Sequence, residues 1–180
     1  MGHGGDVIEE LTSDHNEVEE LFTRIESLPA GDSKRQRLTD QAVIELVRHS
    51  VAEEEYRYPA VREYLSDGDT VADKEIEDHS AAERTMKQLE GLDADDPLFD
   101  QLLRELMTEA PSHVRDEESN LFPQLRTTAS QEALMQLGEK VRQAKKTAPT
   151  RPHPSAPDTP PGQQTARPRG QAWWAGSGTP

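Results

Sequence analysis

Apolar residues recur at helical spacing over most of the chain. Ile8, Leu11, Val18, Phe22 and Ile25 fall three, four or seven positions apart, which puts them on one face of a helix. Asp6 precedes this stripe and Glu9 follows three residues later, the two halves of a capping box; Pro29 and Gly31 end the run. A second stripe, Leu38, Ala42, Leu46 and Tyr56, predicts a helix over roughly 33–65, and "SDGD" at 66–69 reads as a turn. A third helix, over roughly 70–90, turns Ile76, Met86 and Leu89 inward and stops at Gly91. A fourth, over roughly 97–126, opens at Pro97 and turns Leu98, Leu102, Leu106 and Ala110 inward. A short fifth follows Ser130, with Leu134, Leu137 and Val141 on one side. Pro59, Pro111 and Pro123 fall inside predicted helices and predict kinks or breaks there. Strand-like alternation is absent. The pattern predicts an all-α protein over residues 6–146, an antiparallel up-down four-helix bundle capped by a short C-terminal helix.

From about residue 147 the pattern stops. The segment 147–180 is rich in Pro, Gly, Ser, Thr and Gln, and predicts a disordered tail that cannot bury enough apolar surface to offset the entropy of ordering. Trp173 and Trp174 in it read as incidental rather than as a docking motif, and a protein partner for the tail stays open. Net charge over the 180 residues is −15; three arginines against one aspartate give the tail +2 and leave −17 on the rest. Such a surface repels phosphates, so neither nucleic acid nor an anionic membrane is expected as a partner. No apolar run is long enough to span a bilayer and no secretory leader is evident, so the cytoplasm is the expected location. There is no cysteine. That excludes disulfides, thiolate metal sites and a cysteine nucleophile, and confines any metal to nitrogen and oxygen ligands.

The first half repeats in the second with an offset of 64 residues and no gap. Asp14 and His15 return as Asp78 and His79, Glu19 as Glu83, His49 as His113, Glu53 and Glu54 as Glu117 and Glu118, and Pro59 as Pro123. Tyr58 becomes Phe122. The bundle should therefore carry an approximate two-fold axis, with the repeated residues facing one another across it. Each of the four histidines replaces an apolar residue on its stripe, and each is followed at i+4 by a glutamate on the same helix face. A lone histidine on such a stripe is ordinarily a hydrogen-bonded core residue. Four, one per helix and each with a carboxylate, would cost several kcal/mol apiece to bury unpaired, and a metal removes that cost. His3 and His153 lie in the N-terminus and the tail and read as incidental.

Imidazole with carboxylate suits iron, manganese or zinc. Four histidines and up to four glutamates exceed what one tetrahedral zinc takes, but suit two octahedral ions sharing bridging carboxylates. Four nitrogens and two bridging carboxylates fill about eight of the twelve positions, leaving room for Glu83, Glu19 and a small exogenous molecule. This predicts a redox-capable di-iron centre. The Glu-x-x-His di-iron bundle is excluded, because Thr12, Leu46, Ile76 and Ala110 stand three before the four histidines.

In this order, "DH" at 14–15, "HSVAE" at 49–53, "DH" at 78–79 and "HVRDE" at 113–117 resemble the hemerythrin-like, or HHE cation-binding, family. The "EE…YP" and "EE…LFP" endings agree with it, and the resemblance covers about residues 6–146. It implies a non-haem centre of two iron ions with His15, His49, Glu53, His79, His113 and Glu117 as ligands, the two glutamates bridging. Oxygen carriers of that family resemble the chain but place HxxxH on helix three; here "HSAAE" puts Glu83 where the second histidine would stand. An anionic oxygen in place of a neutral nitrogen favours the ferric state. The expected chemistry is therefore turned toward O2 or hydrogen peroxide as a small ligand, with catalase-like disproportionation. Iron or oxygen sensing, or iron holding without turnover, is the alternative, and a metal-free structural bundle is a third class. Tyr56 and Tyr58, near the Glu53 turn, read as packing residues that could also reach the metal.

Overall fold

The computed structural model describes residues 4–152; the His3 and His153 readings, and the tail beyond residue 152, lie outside the described residues. The helices are α1 (Val7–Glu26), α2 (Ser33–Ala52), α3 (Tyr58–Tyr64), α4 (Gly68–Leu89), α5 (Pro97–Asp116), α6 (Phe122–Thr128) and α7 (Gln131–Thr147). A π-helical turn, Glu53–Arg57, fuses α2 to α3, and a second, Glu117–Leu121, fuses α5 to α6. Taken as continuous rods, the described residues form five helices, and no strand occurs among them. The repeat is reproduced residue for residue in two of the rods: every boundary of the second recurs 64 positions on in the fourth, whereas α4 starts three residues earlier and ends one earlier than α1 shifted by 64. So do their N-caps, Asp32 accepting from Lys34 N and Asp96 from Leu98 N, both at 2.8 Å.

Local chemistry sets the ends. Asp6 Oδ1 accepts from the backbone N–H of Ile8 and Glu9, while Glu9 Oε2 accepts from Asp6 N at 2.9 Å, closing the predicted capping box. The turn between the second and third rods is shorter than "SDGD" predicts, because α4 begins at Gly68. A Cβ there would lie 2.2 Å from the Val61 carbonyl oxygen, so glycine lets α4 start against α3. The three prolines act differently. Pro59 and Pro123 sit two residues after the π-helical turns, at the second position of α3 and α6, where Tyr58 N bonds Glu53 O and Phe122 N bonds Glu117 O across five residues. The wider turn takes up the hydrogen bond and the space that a proline denies a regular helix. Pro111, by contrast, lies inside α5 without ending it. The predicted break does not form there; the packing of α5 outweighs one lost backbone hydrogen bond.

Two apolar clusters fill the bundle. One lies around Phe22, Ile25, Met86, Phe99, Leu103 and Leu106, the other around Leu11, Tyr58, Val61, Phe122, Leu125 and Val141. The histidines fall in the layer between them: His15 stands between Leu11 of the second cluster and Val18 of the first. Leu98 departs from its predicted inward position and is 42% exposed. Phe99 and Leu103 take the core places instead, because the stripe of α5 starts one residue later than its apolar run. α7 closes the side formed by α1 and α2 through Leu134 and Val141. Gly138 allows its approach, since a Cβ there would lie 2.6 Å from the Gly5 carbonyl oxygen. No helix among the described residues is long and apolar enough to cross a membrane.

Candidate metal centre

The π-helical turns begin at the two glutamates of the HxxxE motifs. Each motif therefore occupies the last turn of an α-helix and the first residue of a wider one, and Glu53 and Glu117 are both fully buried. Inserting one residue into a helical turn rotates the next turn relative to the last, so side chains beyond each glutamate also face inward. That is how Arg57 and Tyr58 enter the bundle.

The histidines share one arrangement. Every Nε2 points at one of the two buried glutamates: His15 at Glu117 Oε2 (3.3 Å), His49 at Glu53 Oε2 (3.1 Å), His79 at Glu53 Oε2 (3.2 Å) and His113 at Glu117 Oε1 (3.1 Å). Every Nδ1 faces a second carboxylate. His15 Nδ1 lies 2.8 Å from Glu118, His49 Nδ1 3.3 Å from Asp14, His79 Nδ1 3.6 Å from Glu54, and His113 Nδ1 3.3 Å from Glu75 and 3.7 Å from Asp78. An Nδ1–H donating outward leaves the Nε2 lone pair free for a cation, the usual way a protein orients a histidine ligand. The repeated "DH" and "EE" pairs acquire their meaning here: the Asp of each "DH" and the second Glu of each "EE" orient histidines.

Three groups of donors have atoms within 4.8 Å of one another: His15, His49, Glu53 and Glu117; Glu53, His79 and His113; and Glu75, His113 and Glu117. Within them, His15 Nε2, Glu53 Oε2, Glu75 Oε2 and Glu117 Oε2 are buried with no hydrogen-bond partner. Orphaned buried acceptors are costly, and cations coordinated by them remove that cost, so the residues present fit a metal.

Six of the seven sequence-predicted ligands meet in this way. Glu83 does not join them: it lies half-buried one turn beyond His79 on α4, outside all three groups. Glu19 is exposed on the wall of the adjoining cavity, and Tyr56 is half-buried at the edge of the second cluster. Tyr58 does reach the centre, with its hydroxyl 2.9 Å from His79 Nε2.

Sequence reasoning passed over Arg57 and Glu75. Arg57 is 1% exposed, with Nε 2.8 Å from Glu53 Oε1 and Nη2 bonded to Glu117 Oε1. Its guanidinium also lies over the Tyr58 ring, 4.5 Å from the centroid. Glu75 is 2% exposed beside His113. Both break the repeat, for Arg57 maps to Leu121 and Glu75 to Leu11. The available signal was position: Arg57 follows Glu53 at i+4, and Glu75 precedes His79 at i−4.

Charge is dense and compensated. Burial alone would lower His49 and His113. Glu53 and Asp14 outweigh it at His49, held up at about 9, and Glu117 and Asp78 do so at His113, held up at about 10. Burial would raise Glu53 and Glu117, yet Arg57 and the neighbouring histidines keep both below the usual carboxylate range. Glu75 is the exception, because burial, reinforced by the charge of Glu117, pushes it up to about 7 despite His113.

A cavity of about 1090 Å³ adjoins the histidine layer. All four histidines line it, with Phe22, Leu46, Met86, Met107 and Ala110 as part of its apolar wall. A small uncharged molecule can thus approach the histidine face without meeting the buried carboxylates first.

The sequence profile of the Hemerythrin HHE cation binding domain matches residues 6–125. An uncharacterized hemerythrin-like protein of Schizosaccharomyces pombe is 31% identical over 157 residues, 87% of this chain and 77% of that one. A DNA nickase of Nostoc sp. is 33% identical over 135 residues, 75% of this chain but only 38% of the nickase. The crystal structure of a hemerythrin HHE cation binding domain-containing protein from Mycobacterium kansasii superposes with a TM-score of 0.68 at 22% identity, covering 78% of this chain and 85% of that one.

Proposed function

Because this chain belongs to the hemerythrin HHE cation-binding family, we propose that its buried histidine–glutamate layer holds two non-haem iron ions and acts on hydrogen peroxide or O2. The observation that carries this reading is the pairing of four inward Nε2 atoms with two buried glutamates, each with an Oε2 that lacks a hydrogen-bond partner. His15, His49, His79, His113, Glu53 and Glu117 would hold the ions, and Asp14, Glu54, Asp78 and Glu118 would fix the rings. Bound iron supplies one-electron redox capacity, which suits disproportionation of two peroxide molecules to two waters and O2. The protein's part is to orient the donors, and to admit through the cavity a ligand small enough to pass its apolar wall. With Glu83 outside the donor groups, the carboxylate character expected to favour the ferric state rests on Glu53, Glu117 and Glu75.

The nicking activity in one relative's name is not taken over. The chain spans 38% of that protein, and a net charge of −15 opposes approach to a polyphosphate. The test is iron loading followed by peroxide. The loaded protein should release O2 from peroxide, and His49→Ala and His113→Ala should each lower iron content and turnover together. Stable iron content with no peroxide loss would favour the sensing or iron-holding reading. Unchanged iron content in both variants would remove the site assignment.

A further inference from the structure

We propose that Arg57 makes the two metal positions unequal, so that one ion enters first among His15, His49, Glu53 and Glu117, and a second, at His79 and His113, binds more weakly because it must draw Glu117 Oε1 away from the guanidinium. The inference rests on the metal-centre reading above and adds an order of filling and the residue that sets it.

The first position is open. Its four donors form the largest of the three groups, and Glu53 Oε2 and Glu117 Oε2, the oxygens that face His49 and His15, are not the ones the guanidinium holds. The aromatic neighbour of His15 is Phe122, stacked at 5.8 Å with an interplanar angle of 6°, which offers no polar atom to compete for Nε2. At the second position the carboxylate grouped with His79 and His113 is Glu53, whose Oε2 His79 shares with His49 and whose Oε1 lies against Arg57; Glu75 Oε2, beside His113, is the exception that stays without a hydrogen bond. His113 Nε2 shares Glu117 Oε1 with Arg57. His79 Nε2 lies 2.9 Å from the Tyr58 hydroxyl and 3.1 Å from His113 Nε2.

The repeat shows that this asymmetry is written in the sequence. Going from the second half to the first, Leu121 becomes Arg57 and Phe122 becomes Tyr58; going from the first to the second, Leu11 becomes Glu75. All three polar members stand beside the His79–His113 side. The guanidinium cannot lose its charge, and at 1% exposure it has almost no water to take over its hydrogen bonds. A cation arriving at Glu117 Oε1 meets both its repulsion and the cost of leaving it unpaired.

Metal-free full-length protein would be titrated anaerobically with ferrous iron alone and followed by calorimetry. Wild type should show two steps, the second about tenfold or more weaker than the first. His113→Ala should remove the weak step and keep the tight one, while His15→Ala should remove the tight one. Arg57→Leu, which copies the other half, should bring the two steps within a few-fold of each other. Arg57→Gln, which keeps a polar side chain without the charge, should do the same and serves if the leucine variant does not fold. Two equal steps in wild type, loss of the tight step in His113→Ala, or unequal steps that persist in a folded Arg57 variant would each overturn the proposal. Absence of any iron binding in wild type would instead remove the metal-centre reading beneath it.

Discussion

Each centre histidine has a carboxylate at both ring nitrogens, and the two carboxylates do different work. The inner ones are candidate ligands; the outer ones fix the ring. Asp14→Asn and Glu118→Gln should therefore weaken metal binding about 10- to 100-fold while leaving helical content unchanged, as loss of an orienting partner does. Competitive chelator titration with circular dichroism checks both halves of that expectation. The same charges set a pH dependence for the metal-free protein. His49 and His113 are held at about 9 and about 10, above the usual 6.5, so their stabilising charge is fully present below pH 6.5 and is lost as pH rises through 9 to 10. Glu53 and Glu117 are held low, so their contribution is present above pH 4.5 and is lost on acidification. Metal-free protein should be most stable between these limits, and urea melts across pH should show stability falling from neutral pH toward 10. Metal-loaded protein should lack that alkaline fall, because the rings are already deprotonated ligands. The inner histidines and glutamates were legible because the repeat displays each twice. Arg57 and Glu75 were not, because each occurs once, and a lone charge within a helix reads as surface until its neighbours in the bundle, and for Arg57 the π-helical turn, are known.

The elements follow from spacing and caps, and their deviations have local causes. Proline after each HxxxE motif marks where a regular helix cannot continue, yet spacing alone does not distinguish a kink from a π-helical turn that keeps the rod intact. Pro111 has the same chemistry without a break, since no insertion accompanies it. Leu98 read as core because it lies four before Leu102; the neighbouring Phe99, larger and one position on, won the place. α7 lies outside the family match at 6–125 yet touches the centre through Lys145, bonded to Asp14, the partner of His49. It also packs Leu134 and Val141 against the second cluster. Leu134→Ala should cost about 2–5 kcal/mol, the range for emptying a buried leucine site, measured by urea unfolding of the metal-free protein. A change within about 0.5 kcal/mol, as at a bare surface, would show α7 to be peripheral to the fold.

Over the whole molecule, a polar layer divides an otherwise apolar bundle in two. That layer is expensive to bury and its residues recur 64 positions apart, which is why the all-α fold and the place of the candidate site could be read from the sequence together. Composition predicts that the segment from about residue 147 adds nothing to the fold, but Thr147 ends α7, Ala148 packs against the first apolar cluster and Arg151 pairs with Glu90, so the expectation is kept for the segment beyond residue 152. Its deletion should leave stability within about 1 kcal/mol by thermal melting, as for changes touching no packed feature. Whether the layer exists to hold metal is decided by iron per chain after anaerobic reconstitution and desalting, measured on wild type and on His49→Ala and His113→Ala in parallel. Two irons in wild type and a loss in each variant, with the helices intact, are expected; wild type that emerges without metal, or variants that keep the full complement, would contradict that role.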